Sequence, residues 1–435
     1  MENQLFYVTC PFGVESICKK ELLFYDIENI RLNNGFLVVE TSLGFLEIAK
    51  YLKSVNRIYY IIKKGEISSY DDIGKIFENI RLKDYFLNPY TKIEIDVITQ
   101  NTEFYSKKTI KAIANRVINS KNNELKANNS FEYSNKKMEK NDIYIFIIGN
   151  KIDIGFDCFG TSLHKRNYRL NGGISPLKEN IASALVINSI KINQEYLIDP
   201  FCGSGTILSE AILFIYNKKN PFLFSRIKTQ KIIQKSIDSE KRISKIEPDL
   251  QYPINDDNSL DKNENFKFNE VIRQRYNCKY FIGADIDEGA IENSKKNIER
   301  MLRIYFNNSY KYYRFKETDF QYSIYKVNEI NNEFYIILIL IDSYKLKNQL
   351  TKINLIKEMN KENSVIISNL PYGKRLDRKF TLSNSLAAIQ RIFNDFECDK
   401  YFLSSMKYLP SLFNAKEKKK RKLYNGKVEV TLFSF

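Results

Sequence analysis

The segment Asp199-Pro200-Phe201-Cys202-Gly203-Ser204-Gly205-Thr206 lies between a strand-like stretch, Glu195–Asp199, and a helical pattern over Ile207–Tyr216. A strand, a tight glycine turn and a helix in this order are typical of a unit of a parallel α/β sheet. Glycines in the turn let the backbone bend sharply and approach a ligand closely, in front of the N-terminus of the helix. The segment is neither a Walker A loop nor a GxGxxG fingerprint. It therefore predicts a ligand-binding loop in an open α/β sheet.

The pattern of alternating strands and helices extends over the C-terminal part of the chain, from about residue 175. The predicted elements are a helix at Pro176–Ile190, a strand at Lys279–Asp285, a helix at Glu288–Leu302 and a strand at Ser364–Ser368. The final stretch, Lys422–Phe435, turns at Tyr424-Asn425-Gly426 and is expected to close the sheet as an antiparallel edge. These patterns place a doubly wound catalytic-type domain at residues 161–435.

The N-terminal part has a different organisation. Residues 1–65 show the order βαββαβ, which is that of a ferredoxin-like domain, and residues 66–160 form a second α/β unit. Three polar or irregular stretches interrupt the chain: a mobile loop is predicted at Lys121–Asp142, and inserts are predicted near 217–278 and 322–363. The fold class expected for the whole chain is α/β.

Charge and composition narrow the class of protein. The chain has 435 residues, with 68 Lys and Arg against 52 Asp and Glu, a net charge of +16. This excess favours a polyanionic partner, although abundant Asn, Lys and Ile throughout also fit a compositional drift. A single histidine, His164, argues against histidine-based catalytic triads and histidine-rich metal centres. The six cysteines are scattered along the chain, which predicts reduced thiols. Neither a signal peptide nor a long apolar run is recognisable, and we therefore expect a cytoplasmic protein.

Acidic residues follow two further strands of the predicted sheet. Asp285, in Gly283-Ala284-Asp285-Ile286-Asp287, ends the second strand, where an α/β nucleotide fold holds ribose hydroxyls. Asp319 and Phe320, in Thr318-Asp319-Phe320, offer a carboxylate and a ring for an adenine at a third strand end. An acid at such a position also serves commonly as a helix N-cap.

The segment Ser368-Asn369-Leu370-Pro371-Tyr372-Gly373-Lys374-Arg375-Leu376 follows the apolar strand Val365-Ile366-Ile367. Its asparagine offers an acceptor oxygen, the next peptide offers a carbonyl, and the tyrosine offers a flat face. Such a set can hold an exocyclic NH2 group and stack on a base that has been flipped out of its helix. A structural Pro-Tyr-Gly turn is the alternative interpretation.

Together, DPFCGSGT at 199–206 and NLPYG at 369–373 resemble the class I S-adenosylmethionine-dependent amino-methyltransferases. Three further segments narrow the resemblance: SLHKRNYR at 162–169, SPLKEN at 175–180 and KRKLYNG at 420–426. With these segments the chain resembles the bacterial THUMP-domain methyltransferases that make N2-methylguanosine in 23S ribosomal RNA. Members of that family are often labelled N6-adenine-specific DNA methylases.

The resemblance implies a class I, Rossmann-like methyltransferase domain behind an N-terminal ferredoxin-like plus THUMP module. It implies S-adenosyl-L-methionine as cofactor and RNA as partner, 23S ribosomal RNA or a large-subunit precursor, with neither a membrane nor a metal. The implied cofactor-binding residues are Asp199, Phe201, Cys202, Gly203, Ser204, Gly205, Thr206, Asp285, Asp319 and Phe320. The implied catalytic residues are Asn369, the carbonyl of Leu370, Pro371 and Tyr372.

One departure from the family pattern keeps other functions open. The family usually has Asn-Pro-Pro-Tyr, and here Leu370 replaces the first proline, which removes its fixed backbone angle. Asn-Leu-Pro-Tyr also occurs in adenine-N6 dimethyltransferases of ribosomal RNA. The alternatives are therefore an adenine-N6 methyltransferase acting on RNA or DNA and a non-catalytic RNA-binding ribosome assembly factor.

Overall fold

The computed structural model describes residues 4–42, 44–85, 93–127, 141–170, 177–223, 276–329, 332–354, 356, 359–371, 382–413, 417–426 and 428–435. The described strands form two sheets, one in the N-terminal part and one in the C-terminal part. Among the described residues no helix has the length and hydrophobicity needed to span a membrane.

The N-terminal sheet has the order β2-β3-β1-β4-β7-β6-β5. Its strands are β1 (Gln4–Thr9), β2 (Ile30–Asn33), β3 (Phe36–Thr41), β4 (Arg57–Glu66), β5 (Ile93–Gln100), β6 (Asn141–Ile148) and β7 (Lys151–Asp157). Its helices are α1 (Glu15–Leu23), α2 (Phe45–Ala49), α3 (Tyr70–Glu78) and α4 (Lys107–Ala127). The antiparallel set β4-β1-β3-β2 has the ferredoxin-like order that the sequence predicts.

The two predicted N-terminal units share this sheet. Strand β4 pairs with β7 in antiparallel register, with Tyr59 opposite Asp157, so the ladder continues across the predicted boundary at residue 65. Strands β5 and β6 are parallel neighbours, and α4 connects them. One ladder of backbone hydrogen bonds therefore joins the two units directly.

The loop predicted at Lys121–Asp142 is wrong at both of its ends. Helix α4 continues to Ala127, and β6 begins at Asn141; residues 128–140 lie outside the described part. The helix continues because Lys, Asn, Glu and Leu are compatible with helical geometry when the tertiary context favours it. A polar composition alone was insufficient evidence for a loop.

The C-terminal sheet has the order β10-β11-β12-β9-β8-β13-β14-β16-β15. Its strands are β8 (Tyr196–Asp199), β9 (Tyr280–Asp285), β10 (Tyr310–Lys316), β11 (Gln321–Glu329), β12 (Asn332–Leu340), β13 (Ser364–Asn369), β14 (Asp399–Ser404), β15 (Lys419–Asn425) and β16 (Val428–Ser434). Its helices are α5 (Glu179–Ser189), α6 (Thr206–Ile215), α7 (Glu288–Phe306), α8 (Leu346–Leu350), α9 (Leu382–Asp395) and α10 (Leu409–Leu412).

Five central strands of this sheet, β12-β9-β8-β13-β14, are parallel neighbours. The hairpin β15–β16 closes one side in antiparallel orientation, as the sequence predicts. Because the central strands are parallel, their carboxyl ends meet at one edge of the sheet. In open α/β sheets that edge is where ligands bind.

The prediction of an insert near 322–363 is wrong. The stretch contains β12, an internal strand paired with β9, and most of β11. The run Phe334–Leu340 is apolar because β12 lies between two neighbouring strands and is buried, as parallel strands usually are. The insert predicted near 217–278 lies largely outside the described residues, at 224–275.

A buried polar cluster joins the two sheets. Arg166 Nε donates to both carboxylate oxygens of Glu210, at 3.0 and 2.8 Å, and its Nη2 donates to the carbonyl of Lys53 in the N-terminal part. Glu210 also accepts from the hydroxyls of Tyr168 and Ser183. The Arg166 and Glu210 side chains are only 1% and 0% exposed. The cluster therefore links the N-terminal part, the segment that carries Arg166 and Tyr168, and α6, and it is shielded from solvent.

We expect Arg166→Met to lower the free energy of unfolding by about 3–5 kcal/mol, because the Glu210 carboxylate would remain buried without its cation. The double variant Arg166→Met/Glu210→Met should lose less than the single variant, since no charge is left unpaired. Denaturant-induced unfolding measures both.

The matched control is Arg31→Met, which breaks the exposed Arg31–Glu40 ion pair and should cost less than about 1 kcal/mol. Equal losses for Arg31→Met and Arg166→Met would contradict the structural role assigned to the buried cluster.

Candidate functional site

The glycine loop follows β8 directly and leads into α6. Gly203 and Gly205 have φ angles of +54° and +73°, which glycine adopts at little cost. The Cys202 N–H donates to the carbonyl of Ala284 on β9 at 2.9 Å, so the loop folds over the neighbouring strand. A Cβ on Gly203 would have no other atom within 4 Å, which leaves open space on that side of the loop.

Asp285, at the end of β9, binds this loop. Its Oδ2 accepts a hydrogen bond from the Gly203 N–H at 2.9 Å, and its Oδ1 accepts one from the Asp287 N–H at 3.0 Å. The Asp287 carboxylate accepts from the Gly289 N–H at 2.8 Å and caps α7. Of the two acids, Asp285 is therefore the one in contact with the glycine loop, whereas Asp287 is the helix cap.

Asp199 connects the loop to the strand on the other side of β8. Its Oδ1 accepts from the Phe201 N–H at 3.2 Å and from the Ser368 hydroxyl at 2.6 Å. The side chain is buried, and Ser368 immediately precedes Asn369 on β13. One carboxylate oxygen thus couples the position of the glycine loop to that of the Asn369 motif.

Two further residues position the loop, and the sequence analysis missed both. On α7, the Ser294 hydroxyl donates to the Gly203 carbonyl at 2.6 Å, and Asn297 Nδ2 donates to the Ser204 carbonyl at 3.0 Å. Both side chains are buried. The signal available in the sequence was their spacing. Polar residues three positions apart lie on one face of a helix, and the neighbours of Ser294 and Asn297 on that face are apolar.

The Cys202 side chain is a packing group of the loop. It is buried, with Sγ 3.9 Å from the Ser294 hydroxyl. Burial, with the nearby charges of Asp285 and Asp199, raises the pKa of the Cys202 thiol well above its usual value. A buried thiol of this kind is typical of a packing residue.

The catalytic candidates lie at the end of β13, on the other side of β8 from β9. The Asn369 side chain is buried, and no group of the described residues donates a hydrogen bond to its Oδ1. The Leu370 side chain is fully buried, and its N–H donates to the carbonyl of Leu403 at 3.0 Å, so the backbone there is fixed against β14. Pro371 is half-buried, and Tyr372 lies outside the described residues.

The predicted adenine-contacting pair lies farther from β9 than the sequence suggested. Asp319 and Phe320 occupy the turn between β10 and β11, two strands away from β9. Asp319 is exposed and 3.9 Å from Lys352, while Phe320 is buried and stacks on Tyr322 with a centroid separation of 5.4 Å. Their role toward adenine stays a prediction.

A second acidic residue, Asp342, lies closer to β9 in the strand order than Asp319 does. Asp342 follows β12, the strand directly beside β9, and its Oδ1 accepts from the Tyr344 N–H at 3.0 Å. The hydroxyl of the intervening Ser343 donates to the Pro200 carbonyl, which fixes this segment to the glycine loop. Sequence reasoning missed Asp342 because it treated the surrounding stretch as an insert.

The residues at this edge fit a nucleoside-like ligand that carries an amino acid. The glycine loop has an open side, the α6 N-terminus lies behind it, and the carboxylates of Asp285 and Asp342 offer acceptors for hydroxyl and amine donors. Among the described residues, no group of three or more His, Cys, Asp or Glu side chains is arranged to hold a metal ion.

The chain is similar to known proteins over much or all of its length. A family model described as "RMKL-like, methyltransferase domain" matches residues 166–319 and 308–433. The "Ribosomal RNA large subunit methyltransferase K/L" of Marinomonas sp. (strain MWYL1) is 29% identical over 217 residues, 47% of this chain and 29% of that protein. The chain therefore spans less than a third of the length of that relative.

Two proteins match over nearly their full lengths. The "Putative RNA methyltransferase YpsC" of Bacillus subtilis (strain 168) is 22% identical over 438 residues, covering 100% of this chain and 96% of that protein. The structure of SMU.472, complexed with SAH, superposes with a TM-score of 0.67 at 20% identity over 100% of this chain and 98% of that one. The structural match confirms the Rossmann-like α/β fold that the sequence predicts.

We expect Gly205→Ala to lower both the free energy of unfolding and the affinity for S-adenosyl-L-methionine. An added Cβ would lie 3.1 Å from the Ser294 hydroxyl in a backbone conformation that alanine disfavours. The matched control is Gly426→Ala, where φ is +69° and no atom lies within 4 Å of the added Cβ.

The control should lose only about 1–2 kcal/mol of stability, the cost of the left-handed conformation, and should bind the cofactor normally. Denaturant unfolding and isothermal titration calorimetry measure the two quantities. Identical behaviour of the two variants would show that the contact with α7 does not shape the loop.

Proposed function

The chain belongs to the family of RMKL-like methyltransferase domains, and we propose that it is an RNA methyltransferase that acts on an exocyclic amine. The proposed target is N2 of a guanine in 23S ribosomal RNA. Its cofactor is S-adenosyl-L-methionine, in agreement with the family and with the SAH-bound neighbour of the same fold. The relatives named for RNA methylation support RNA as the substrate class.

The observation that carries the proposal is the buried Oδ1 of Asn369, to which none of the described residues donates a hydrogen bond. A buried amide oxygen without a hydrogen-bond donor costs stability and is rare in folded proteins. Here it lies at the carboxyl end of a strand, one residue beyond the serine that Asp199 binds. We infer that a donor on the substrate, the NH2 group of the target base, satisfies this oxygen during catalysis.

We propose distinct tasks for the residues at this edge. The loop Phe201–Thr206 holds the methionine part of the cofactor, Asp199 keeps the loop in register with β13, and Asp285 accepts from the ribose hydroxyls. Asp319 and Phe320 contact the adenine, with Asp342 as a second acceptor that strand order favours. The bound cofactor supplies an electrophilic methyl group.

We propose that Asn369 and the Leu370 carbonyl orient the attacking amine. The lone pair of an aromatic amine is delocalised into the ring, so two acceptors that draw its hydrogens out of the ring plane direct the lone pair toward the methyl group. Such positioning reduces the entropic part of the barrier. The new N–C bond would form as the S–C bond to the methyl group breaks, and the methylated amine would release one proton to solvent. Pro371 fixes the backbone of this segment, and Tyr372 stacks on the flipped base.

The N-terminal part is proposed to bind the RNA. Residues 1–65 and 66–160, the ferredoxin-like and THUMP units of the sequence analysis, carry no catalytic motif and share one sheet. The net charge of +16 favours a polyanionic partner. Binding of structured RNA there places a target nucleotide at the carboxyl edge of the second sheet.

We expect ribosomal RNA from a strain that lacks this gene to lose one N2-methylguanosine per large subunit. Mass spectrometry of nucleosides from separated 16S and 23S RNA, with and without the gene, measures the change. Re-expression of the wild-type chain should restore the nucleoside, and expression of Asn369→Ala should not.

A loss of N6-methyladenosine instead would identify the protein as an adenine methyltransferase, the function that Asn-Leu-Pro-Tyr also fits. An unchanged nucleoside profile, together with binding of the chain to ribosomal precursors, would contradict the enzymatic proposal and favour an assembly factor.

The division between amine positioning and cofactor binding predicts opposite effects in two variants. Asn369→Ala should reduce the single-turnover rate of methyl transfer by on the order of 10², with cofactor affinity unchanged, because its interaction strengthens in the transition state. Asp285→Ala should weaken cofactor binding by about 1.5–3 kcal/mol, because a charged acceptor is lost.

Asp287→Ala is the matched control, since it removes only the α7 cap and should leave cofactor affinity unchanged. Calorimetry gives the affinities, and transfer of labelled methyl to 23S RNA gives the rates. A wild-type rate in Asn369→Ala would refute the proposed catalytic role.

A further inference from the structure

Strand β10 (Tyr310–Lys316) is the terminal strand of the C-terminal sheet among the described residues. Its sequence, YKYYRFK, consists of four aromatic and three basic residues. The six residues after Tyr310 are all exposed: Lys311, Tyr312, Tyr313, Arg314, Phe315 and Lys316. The three rings among them are about 40% exposed, with values of 43%, 43% and 38% along the chain.

The rings that contact β11 are held in defined positions. Phe315 stacks on Tyr322 with a centroid separation of 4.7 Å and an interplanar angle of 13°, and Tyr322 in turn stacks on Phe320. Tyr312 packs on Tyr325 at 4.9 Å, and its hydroxyl lies 3.2 Å from that of Ser323. Rings supported from one side lose little further freedom when a ligand covers the other.

Protection of a sheet edge does not explain this composition. Lysines and other charges are sufficient to prevent pairing with another strand, and three exposed rings act against that protection. Aromatic faces combined with nearby cations are instead the features with which proteins bind single-stranded nucleic acid, since bases stack on the rings and phosphates contact Lys and Arg.

The direction of β10 relates this surface to the proposed active site. Strand β10 is antiparallel to β11, and β11 is antiparallel to β12, so β10 runs parallel to β12 and β9. Its Lys316 end therefore lies at the edge of the sheet that carries Asp285 and Asn369. Five strand spacings separate β10 from β13, about 24 Å along the sheet. A polynucleotide on β10 would thus contact the protein away from the target base.

We propose that β10 is a binding platform for single-stranded RNA that flanks the target nucleotide. Tyr313 and Phe315 share one face of the strand, about 6.8 Å apart, and each stacks on an unpaired base. Lys311 lies on the same face, and Lys316 lies at the catalytic edge, where both contact phosphates. This inference rests on the proposed RNA methyltransferase function and adds a second contact region for the same substrate.

The test measures binding of a labelled oligouridylate to the full chain by fluorescence anisotropy, as the single strand and as the duplex with oligoadenylate. Tyr313→Ser should weaken binding of the single strand about tenfold, and Tyr313→Phe should retain it, because stacking needs only the ring. Binding of the duplex should be equal in both variants, because its bases are not free to stack.

In the double variant Lys311→Gln/Lys316→Gln, the plot of log affinity against log salt concentration should become less steep. The magnitude of its negative slope should fall by about 1.4, the value for two phosphate contacts on a single strand. The matched control is Lys279→Gln/Lys361→Gln, which removes two exposed charges at the opposite edge of the sheet and should leave the slope nearly unchanged. Thermal unfolding of each variant verifies the fold.

Methyl transfer to 23S RNA by the wild-type chain, measured alongside, separates the two proposals. If the wild type transfers methyl groups to 23S RNA but the β10 variants bind oligouridylate as tightly as the wild type, the β10 platform is refuted and the catalytic proposal is not. Binding that depends on β10 without transfer to any RNA supports the platform and contradicts the catalytic function. A wild-type dimer that the same substitutions dissociate would assign this edge to a second copy of the chain and overturn the platform.

Discussion

The parallel pairing of β8 with β9 on one side and β13 on the other is the constraint on which the candidate site depends. It places Asp199, Asp285 and Asn369, which are far apart in the chain, at one edge of one sheet. The hydrogen bonds from the Ser368 hydroxyl to Asp199 and from the Gly203 N–H to Asp285 then fix the three loops relative to one another. The proposed tasks of these residues presuppose this alignment.

The sequence predicted those features of the site that are local. Both glycine conformations and the strand–turn–helix order follow from the residues at 199–216, because a turn of this kind depends on its own backbone. The βαββαβ order and the closing hairpin were predicted for the same reason, since periodicity and turn residues specify them. The ribose role of Asp285 stays a prediction, and the structure shows that Asp285 contacts the glycine loop whereas Asp287 caps α7.

What the sequence could not supply depends on long-range pairing. Strand β12 was assigned to an insert because a continuous apolar run does not reveal its partner, and the position of Asp342 was lost with it. The spacing of Ser294 and Asn297 places both on one face of α7, but it does not reveal that they bind carbonyls about 90 residues earlier in the chain. The exposed rings of β10 became significant only when the strand proved to be terminal in its sheet.

The contacts that shape the glycine loop end on backbone atoms: the Gly203 N–H and carbonyl, the Phe201 N–H and the Ser204 carbonyl. Four side chains, those of Asp199, Asp285, Ser294 and Asn297, therefore hold the loop from β8, β9 and α7, so its backbone conformation is set by three elements of the domain as well as by its own glycines.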